Sequence, residues 1–243
     1  MPTTFDLLYV LLFAIALPLY DTLFSWKAYA RRLRESPARA RAWLWSTSTV
    51  QAWLLVAVGV GYWLYAGRPW SDLNFTMPEG WRLSLATLLV LAYGAYQAYC
   101  IFHVRRDPAL RERLQAQVAP VADVVPHTRP EVRAFIGVSI TAGVCEEFLY
   151  RGYFTWALAP WLGWWGAAAF STLLFALGHA YQGFGGILRT GLFGALYMVT
   201  VAVFDSIWPA IALHILVDVS GGVMSWLVLR DAPRAAIAPH NEG

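Results

Sequence analysis

Long apolar stretches alternate with short polar connections along the chain. A helix needs about 20 mostly apolar residues to cross the hydrocarbon core of a bilayer. Seven stretches reach that length, and the pattern predicts a span in each of them: 5–25, 44–66, 84–103, 134–159, 161–181, 186–204 and 207–229. The fold class that follows is an all-α, polytopic transmembrane helix bundle of about seven spans.

Composition favours the same class. Hydrophobic residues make up 58% of the 243 residues and charged residues only 14%, whereas soluble domains carry about 25% charged residues. The net charge of +3 is too small to indicate a nucleic-acid partner. The two cysteines, Cys100 and Cys145, lie in apolar runs, so we predict neither a disulfide framework nor a Cys-x-x-Cys metal site.

The spacing of the spans predicts one integral membrane domain over 1–243. Within it, we expect the first three spans in 1–103, a cytoplasmic amphipathic connector in 104–133 and a four-span core in 134–230. The stretch from Asp231 to Gly243 is expected to be a short disordered end.

Basic residues are concentrated on one side of the predicted bundle. Fifteen of the 18 Lys and Arg residues lie in alternate connections, and only Arg68 and Arg82 lie on the opposite side. The remaining one, Arg151, falls within a predicted span. Because positive loops stay in the cytoplasm, the asymmetry predicts an external amino terminus and a cytoplasmic carboxyl terminus. We expect a multi-pass protein of the bacterial cytoplasmic membrane.

Six ionisable side chains fall well inside the last four predicted spans. Each charged group at the bilayer centre costs about 2.5–3.5 kcal/mol on insertion scales, so such groups usually face the bundle interior and function there. The middles of the first three spans contain none. The six are Glu146, Glu147, Arg151, His179, His214 and Asp218.

Helical spacing pairs several of these side chains. Glu147 and Arg151 are four residues apart and are placed to form an ion pair. His214 and Asp218 share that spacing, which places an acceptor near the imidazole and predicts that it fixes the tautomer. Taken singly, each pair is more often a structural contact than a catalytic one. Their coincidence in one half of the chain is what indicates chemistry.

Together these groups supply what hydrolysis requires. A carboxylate and a neutral imidazole can remove a proton from a shared water. A second imidazole with its acid can stabilise the oxyanion that develops on a scissile carbonyl. The same side chains, Glu146, His179 and His214, could instead bind a catalytic zinc with an open position for water. The residue types alone leave both chemistries open.

Three motifs on consecutive predicted spans carry a family resemblance. The run from Glu146 to Arg151 resembles the EExxxR motif of the CPBP family, which contains CAAX proteases and bacteriocin-processing enzymes; its eukaryotic branch is the Ras-converting type of prenyl endopeptidase. Phe175 to His179 resembles the FxxxH motif, and His214 to Asp218 resembles the HxxxN motif. The resemblance covers about residues 130–230.

The resemblance implies intramembrane cleavage of a peptide bond. It implies that Glu146 and His179 activate water, that His214 and residue 218 form the oxyanion pocket, and that Glu147 with Arg151 supports the glutamate. One position departs from the family pattern, since Asp218 stands where Asn is usual. Asn can donate to an oxyanion, whereas an ionised Asp only accepts. Three interpretations follow: a protonated Asp218, an Asp218 that only orients His214, or a metal site.

The predicted depth of His179 in the membrane differs from the depths of its proposed partners, Glu146 and His214. At about 1.5 Å per helical residue, Glu146 and His214 lie roughly 18–20 Å from the cytoplasmic face, while a span ending at 181 leaves His179 only about 3 Å inside. Continuation of that span to Arg189 would remove the mismatch. We therefore expect the Gly-rich segment 183–186 within the membrane, next to a wet cavity open to the cytoplasm.

The sequence therefore predicts an intramembrane endopeptidase that acts on a membrane-associated protein or peptide. No cofactor is favoured, with zinc as the alternative. Recognition of a prenyl group does not follow from the resemblance, and no oligomeric state is implied. Two other classes stay open, namely a non-catalytic membrane scaffold or immunity protein and a proton-relay transporter. A transporter would be expected to repeat its interrupted helices in both halves, and the first three spans lack a matching polar set.

Overall fold

The computed structural model describes residues 1–230, and over that range helices are joined by short connections, without β-strands. The all-α prediction is therefore confirmed. The predicted disordered end, 231–243, lies outside the described residues. The main helices, in chain order, are α1 Thr4–Glu35, α2 Pro37–Tyr65, α3 Gly80–Arg106, α4 Pro108–Val118, α5 Arg129–Glu146, α6 Thr155–Gly178, α7 Gly183–Phe204 and α8 Trp208–Leu229.

Several of these helices could cross a bilayer. Five segments of the described chain are long and apolar enough: Thr4–Glu35, Pro37–Tyr65, Gly80–Arg106, Ala180–Phe204 and Trp208–Leu229. The predicted spans 134–159 and 161–181 correspond instead to α5, α6 and the helical turns between them. α6 is interrupted at Gly163, where φ is +67°. The structure supports a multi-pass membrane protein, and the count of seven spans stays a prediction.

α5 and α8 pack closely against each other, because one glycine on each helix leaves room for atoms of the other helix. A Cβ at Gly143 would lie 2.4 Å from Ile215 Cγ1 and 3.1 Å from the Ile215 nitrogen. A Cβ at Gly222 would lie 2.4 Å from the Phe135 ring. Helix interfaces in membranes depend on such small residues, and here the two contacts fix the register of α8 against α5.

Aromatic packing joins α1 and α2 to the segment that follows α5. Tyr9, Phe13, Trp63 and Tyr153 are buried in one cluster. At its end, Arg68 binds the buried Asp6 carboxylate through two hydrogen bonds of 2.7 and 2.8 Å. Charge-assisted bidentate pairs of this kind are strong and geometrically specific. They help to hold α1 against the rest of the bundle, together with the hydrogen bond from the Tyr9 hydroxyl to the Leu55 carbonyl at 2.6 Å.

The connector after α3 packs on helix ends. Leu110 and Leu114 of α4 lie against Val104 of α3 and against Leu227 and Val228 of α8. The segment from 119 to 128 is then tied to the first two helices. The Tyr29 hydroxyl donates to the Asp123 carbonyl at 2.6 Å, and the Trp45 indole N–H donates to the Val124 carbonyl at 3.0 Å.

The expected continuation of the fifth span to Arg189 is wrong. α6 ends at Gly178, the residues Ala180–Gln182 form one 3₁₀ turn, and α7 begins at Gly183 with φ +78°. A positive φ of this size suits glycine, which has no Cβ to clash with the backbone. The chain therefore reverses at the Gly-rich segment instead of extending through it. The wet cavity expected beside this segment stays a prediction.

Candidate active site

The two glutamates of the site, Glu146 and Glu147, lie where α5 ends and a π-helical segment, Glu147–Phe154, begins. π-helical turns are rare, and they occur frequently at functional sites. Within this segment the Tyr150 carbonyl accepts hydrogen bonds from Thr155 Oγ1 at 3.0 Å and Ser171 Oγ at 2.7 Å. These two hydroxyls join the segment to α6.

Glu147 and His214 meet across the α5–α8 interface. The Glu147 Oε1 atom lies 2.8 Å from His214 Nδ1, although 67 residues separate them in the chain. Gly143 lies one turn before Glu147, and its closest neighbours are Ile211 and Ile215, which flank His214 on α8. The close backbone approach at Gly143 therefore brings the carboxylate and the imidazole within hydrogen-bonding distance.

Arg151 completes a buried charge cluster with Glu147. Its Nη1 atom lies 3.1 Å from Glu147 Oε1, and both side chains are 0% exposed. The guanidinium carbon also lies 4.1 Å from the Phe175 ring centroid and 5.4 Å from that of Tyr197. None of its three nitrogens has a well-aligned hydrogen bond to a described residue. The charge of Glu147 and the ring faces of Phe175 and Tyr197 thus hold the guanidinium in place.

The space around Arg151 depends on a glycine. A Cβ at Gly194 of α7 would lie 2.9 Å from Arg151 Nη2 and 3.0 Å from the Phe175 ring. α7 can therefore pass close to the guanidinium only because this position lacks a side chain. The cluster is enclosed by α5, α6, α7 and α8 together.

His214 presents its second ring nitrogen to two other carboxylates. His214 Nε2 lies 3.8 Å from Glu146 Oε2 and 3.7 Å from Asp218 Oδ2. Both distances exceed a direct hydrogen bond, and contacts of this length are often bridged by water. The imidazole stacks on Tyr197, with ring centroids 5.0 Å apart and planes inclined by 19°. Its orientation is therefore fixed by Glu147 on one edge and by Tyr197 on one face.

Asp218 does not hold the imidazole as the four-residue spacing predicted. The hydrogen-bond partner of His214 is Glu147, because Asp218 sits one helical turn further along α8 and reaches only to 3.7 Å from Nε2. A tautomer set by Glu147 has Nδ1 as the donor whenever that carboxylate is ionised, since an ionised carboxylate only accepts.

The two adjacent glutamates have different surroundings. The Glu146 side chain is 29% exposed, whereas that of Glu147 is fully buried. The Oε2 atoms of both glutamates are buried, and neither has a hydrogen bond to a described residue. An unsatisfied buried oxygen in a native structure calls for an explanation such as a catalytic role or a bound water. Glu146 is the carboxylate of the pair that a reactant can approach.

His179 joins the site through Phe175. Its Nδ1 lies 2.8 Å from the Phe175 carbonyl, so this nitrogen donates and Nε2 is left as the acceptor of the neutral ring. The Phe175 ring lies 4.8 Å from the His179 ring and 6.1 Å from that of His214. No hydrogen bond links His179 to Glu146 or His214 within residues 1–230.

A zinc set built from Glu146, His179 and His214 finds no support in this arrangement. Across the part of the chain that the structure describes, no group of three or more His, Cys, Asp and Glu side chains is placed to hold a metal ion. The metal requirement itself stays a prediction.

The structure adds residues that the sequence analysis missed. Tyr197 supports the His214 ring, and Gly143 and Gly194 make room for the close contacts around it. Two glycines in apolar helices were visible in the sequence, but their partners were not, because those partners lie on other helices. Cys145, beside Glu146, is fully buried in an apolar cluster.

A comparison with known families finds a match over part of the chain. Residues 128–220 match the family described as Type II CAAX prenyl endopeptidase Rce1-like. No protein of curated function and no solved structure matches the chain. The matched segment contains all three motifs and all six ionisable residues of the site. The resemblance stated from those motifs is therefore confirmed as a similarity to that family over residues 128–220.

Proposed function

We propose that the protein is an intramembrane endopeptidase that hydrolyses a peptide bond of a membrane-associated protein or peptide. The observation that carries the proposal is the difference in solvent exposure between the Glu146 side chain and its buried neighbours. A partly accessible carboxylate lies beside a buried cluster of Glu147, Arg151 and His214. The cluster lies within the segment that matches the prenyl endopeptidase family.

Glu146 is assigned as the general base. Its exposure lets water and substrate reach it, and its Oε2 atom faces His214 Nε2 across 3.8 Å. His179 is assigned as its partner, because the Nδ1–H bond to the Phe175 carbonyl leaves Nε2 able to accept a proton. The activated water adds to the scissile carbonyl carbon, and the carbon–nitrogen bond then breaks as the amine takes up a proton.

Glu147 and Arg151 are assigned as positioning residues. Neither is exposed, so neither can touch substrate in this conformation. Glu147 holds His214 Nδ1, and Arg151 compensates the negative charge of Glu147 inside the bundle. A catalytic imidazole requires such a second contact to fix its ring and its proton.

His214 and Asp218 are assigned to the oxyanion pocket. Nε2 of His214 can donate only if it carries a proton. When Glu147 is ionised, Nδ1 carries a proton too, so the donating ring is then an imidazolium. Asp218 lies 3.7 Å from that nitrogen and is 33% exposed. As a protonated acid it would supply a second donor. The family residue at this position, Asn, would donate in any protonation state.

We favour metal-free water activation, since the assigned residues provide a base and oxyanion donors without a cation. Zinc is the alternative. Elemental analysis of the detergent-purified protein decides between them. One zinc per chain, lost together with activity on chelation, would contradict the metal-free assignment.

We also propose that the amino terminus is external and that the connector 104–133 faces the cytoplasm, because basic residues dominate the connections on that side. Labelling of a cysteine placed at position 110 in intact cells tests the orientation. Labelling by an impermeant reagent from outside would overturn it.

A comparison of protein termini tests the function without requiring an identified substrate. Membranes are prepared from cells that express the parent, Glu146→Gln or the control Glu112→Gln, which changes an exposed carboxylate on α4. New amino termini are expected in membrane proteins with the parent and the control but not with Glu146→Gln, which should retain the uncut partner. Identical termini in all three would favour the scaffold or transporter classes.

A further inference from the structure

A second polar site lies at one end of the bundle, away from the candidate active site. A cavity of about 380 Å³ opens where the end of α3, the beginning of α5 and the end of α8 come together. Its lining residues include Ile101, Arg105, Arg129, Arg133, Trp226 and Leu227. No residue of the proposed catalytic set contributes to it.

Three of the arginines that line the cavity come from two different helices. Arg105 belongs to α3, and Arg129 and Arg133 belong to α5, so the charges converge only in the folded chain. All three are exposed. Within residues 1–230, no carboxylate forms an ion pair with any of them. These three arginines therefore concentrate positive charge at the cavity without an acidic partner among the described residues.

The floor of the same cavity is apolar. Ile101 and Leu227 lie beside Trp226, and the guanidinium groups of Arg129 and Arg230 lie 5.9 and 5.5 Å from the Trp226 ring centroid. Tryptophan with arginine is the pairing found at membrane–water interfaces. An occupant must accordingly carry negative charge at one end and an apolar portion at the other.

We propose that this cavity binds the phosphate headgroup of an anionic phospholipid. The arginines would hold the phosphate, and an acyl chain would follow the apolar surface of α3 and α8 into the bilayer. Basic pockets between membrane helices on the cytoplasmic side suit anionic headgroups. The cavity also lies at the end of the bundle where the basic connections gather, which matches the leaflet that carries such lipids. Free phosphate would use the arginines but not the apolar floor.

Lipid binding to the purified full chain in detergent tests the proposal. The ligands are short-chain phosphatidylglycerol, short-chain phosphatidylcholine and inorganic phosphate, and the readout is an apparent Kd from the rise in Tm. The parent should prefer phosphatidylglycerol. The double variant Arg105→Gln/Arg133→Gln should weaken phosphatidylglycerol binding by about 30-fold, because each arginine near an anionic lipid contributes about one kcal/mol.

Arg113→Gln is the matched control, since Arg113 is an exposed arginine of α4 that does not line the cavity. It should leave the Kd unchanged within about two-fold. Equal binding of phosphatidylcholine would overturn the proposal, as would equal loss in the control or a Kd for inorganic phosphate as low as that for the lipid. Native mass spectrometry provides a second measurement: one retained phosphatidylglycerol in the parent and none in the double variant supports the site, and equal retention contradicts it.

Discussion

The Nδ1 atom of His214 lies 2.8 Å from Oε1 of Glu147, and this contact joins α8 to the π-helical segment that follows α5. Both side chains are almost completely removed from the surface. A hydrogen bond inside a low-dielectric interior fixes the imidazole more firmly than one in water would. The remaining polar contacts of the site are arranged around this pair, with Arg151 on the Glu147 side and Glu146 and Asp218 on the Nε2 side.

The close approach at Gly143 should be essential for that contact. Gly143→Ala places a methyl group 2.4 Å from Ile215 Cγ1 and against the α8 backbone, so α8 must shift. We expect a loss of about 1–3 kcal/mol of stability from overpacking, together with loss of activity. Gly137→Ala, on the same helix with open space around it, is the control and should be neutral or slightly stabilising. Thermal unfolding and cleavage assays compare the two. Equal effects would contradict the positioning role of Gly143.

Glu147 and Arg151 should be coupled in stability. Glu147→Gln leaves the buried guanidinium without a counter-charge, and breaking a buried pair in this way typically costs about 3–5 kcal/mol. The double variant Glu147→Gln/Arg151→Met should recover much of that loss, because it removes both charges. A double-mutant cycle by thermal unfolding measures the coupling. Additive losses in the cycle would show that the two charges do not depend on each other.

Much of the bundle could be predicted from the sequence, because apolar length alone identifies membrane helices. The motifs likewise identified Glu146, Glu147 and His214 as members of one site. Their contacts could not be predicted. Spacing along α8 favoured Asp218 as the partner of His214, but the closer carboxylate belongs to the segment that follows α5 and depends on the approach at Gly143.

The break between α6 and α7 could not be predicted from the sequence either. A Gly-rich apolar stretch fits both a continuous span and a reversal of the chain, and hydropathy does not distinguish them. The positive φ at Gly183 shows which of the two occurs. That turn leaves His179 beside Phe175, and its 2.8 Å contact with the Phe175 carbonyl is a link that periodicity could not reveal.

Asp218→Asn tests how the departure from the family motif works. If residue 218 donates to the oxyanion, the amide should preserve or raise activity, and the gain should grow with pH as the acid loses its proton while the amide keeps its own. We expect this outcome. A pH–rate profile of the variant beside the parent provides the measurement. Loss of activity at every pH, with the fold intact, would show that Asp218 acts as an acceptor instead.

Stability in acid should depend on Glu131, at the first turn of α5. Burial alone would raise its pKa, but hydrogen bonds from the His127 backbone, the Arg41 guanidinium and the Thr128 backbone outweigh burial and hold the pKa below its ordinary value. The unfolded chain therefore takes up this proton first as pH falls. The stabilisation is complete above about pH 5 and is lost as pH drops through the ordinary Glu range near 4 and below.

Glu131→Gln should accordingly have a lower Tm than the parent at pH 7 and a smaller decline in Tm between pH 7 and pH 3. Arg41 then loses its partner, which lies at 2.7 Å. Glu112→Gln, which alters an exposed carboxylate, should follow the parental curve. Parallel curves for Glu131→Gln and the parent would exclude this carboxylate as a source of the acid sensitivity.

The cleavage rate of the Glu146→Gln variant tests the central claim most directly. Parent and variant are reconstituted in liposomes with a substrate retained by the variant, and cleavage is followed by mass spectrometry at equal, folded protein concentrations. The amide keeps the shape of the side chain but cannot accept the proton of water, so removal of a general base should lower the rate by about 10²–10⁴-fold. Cleavage by Glu146→Gln at the parental rate would contradict the assignment of this protein as a glutamate-dependent intramembrane endopeptidase.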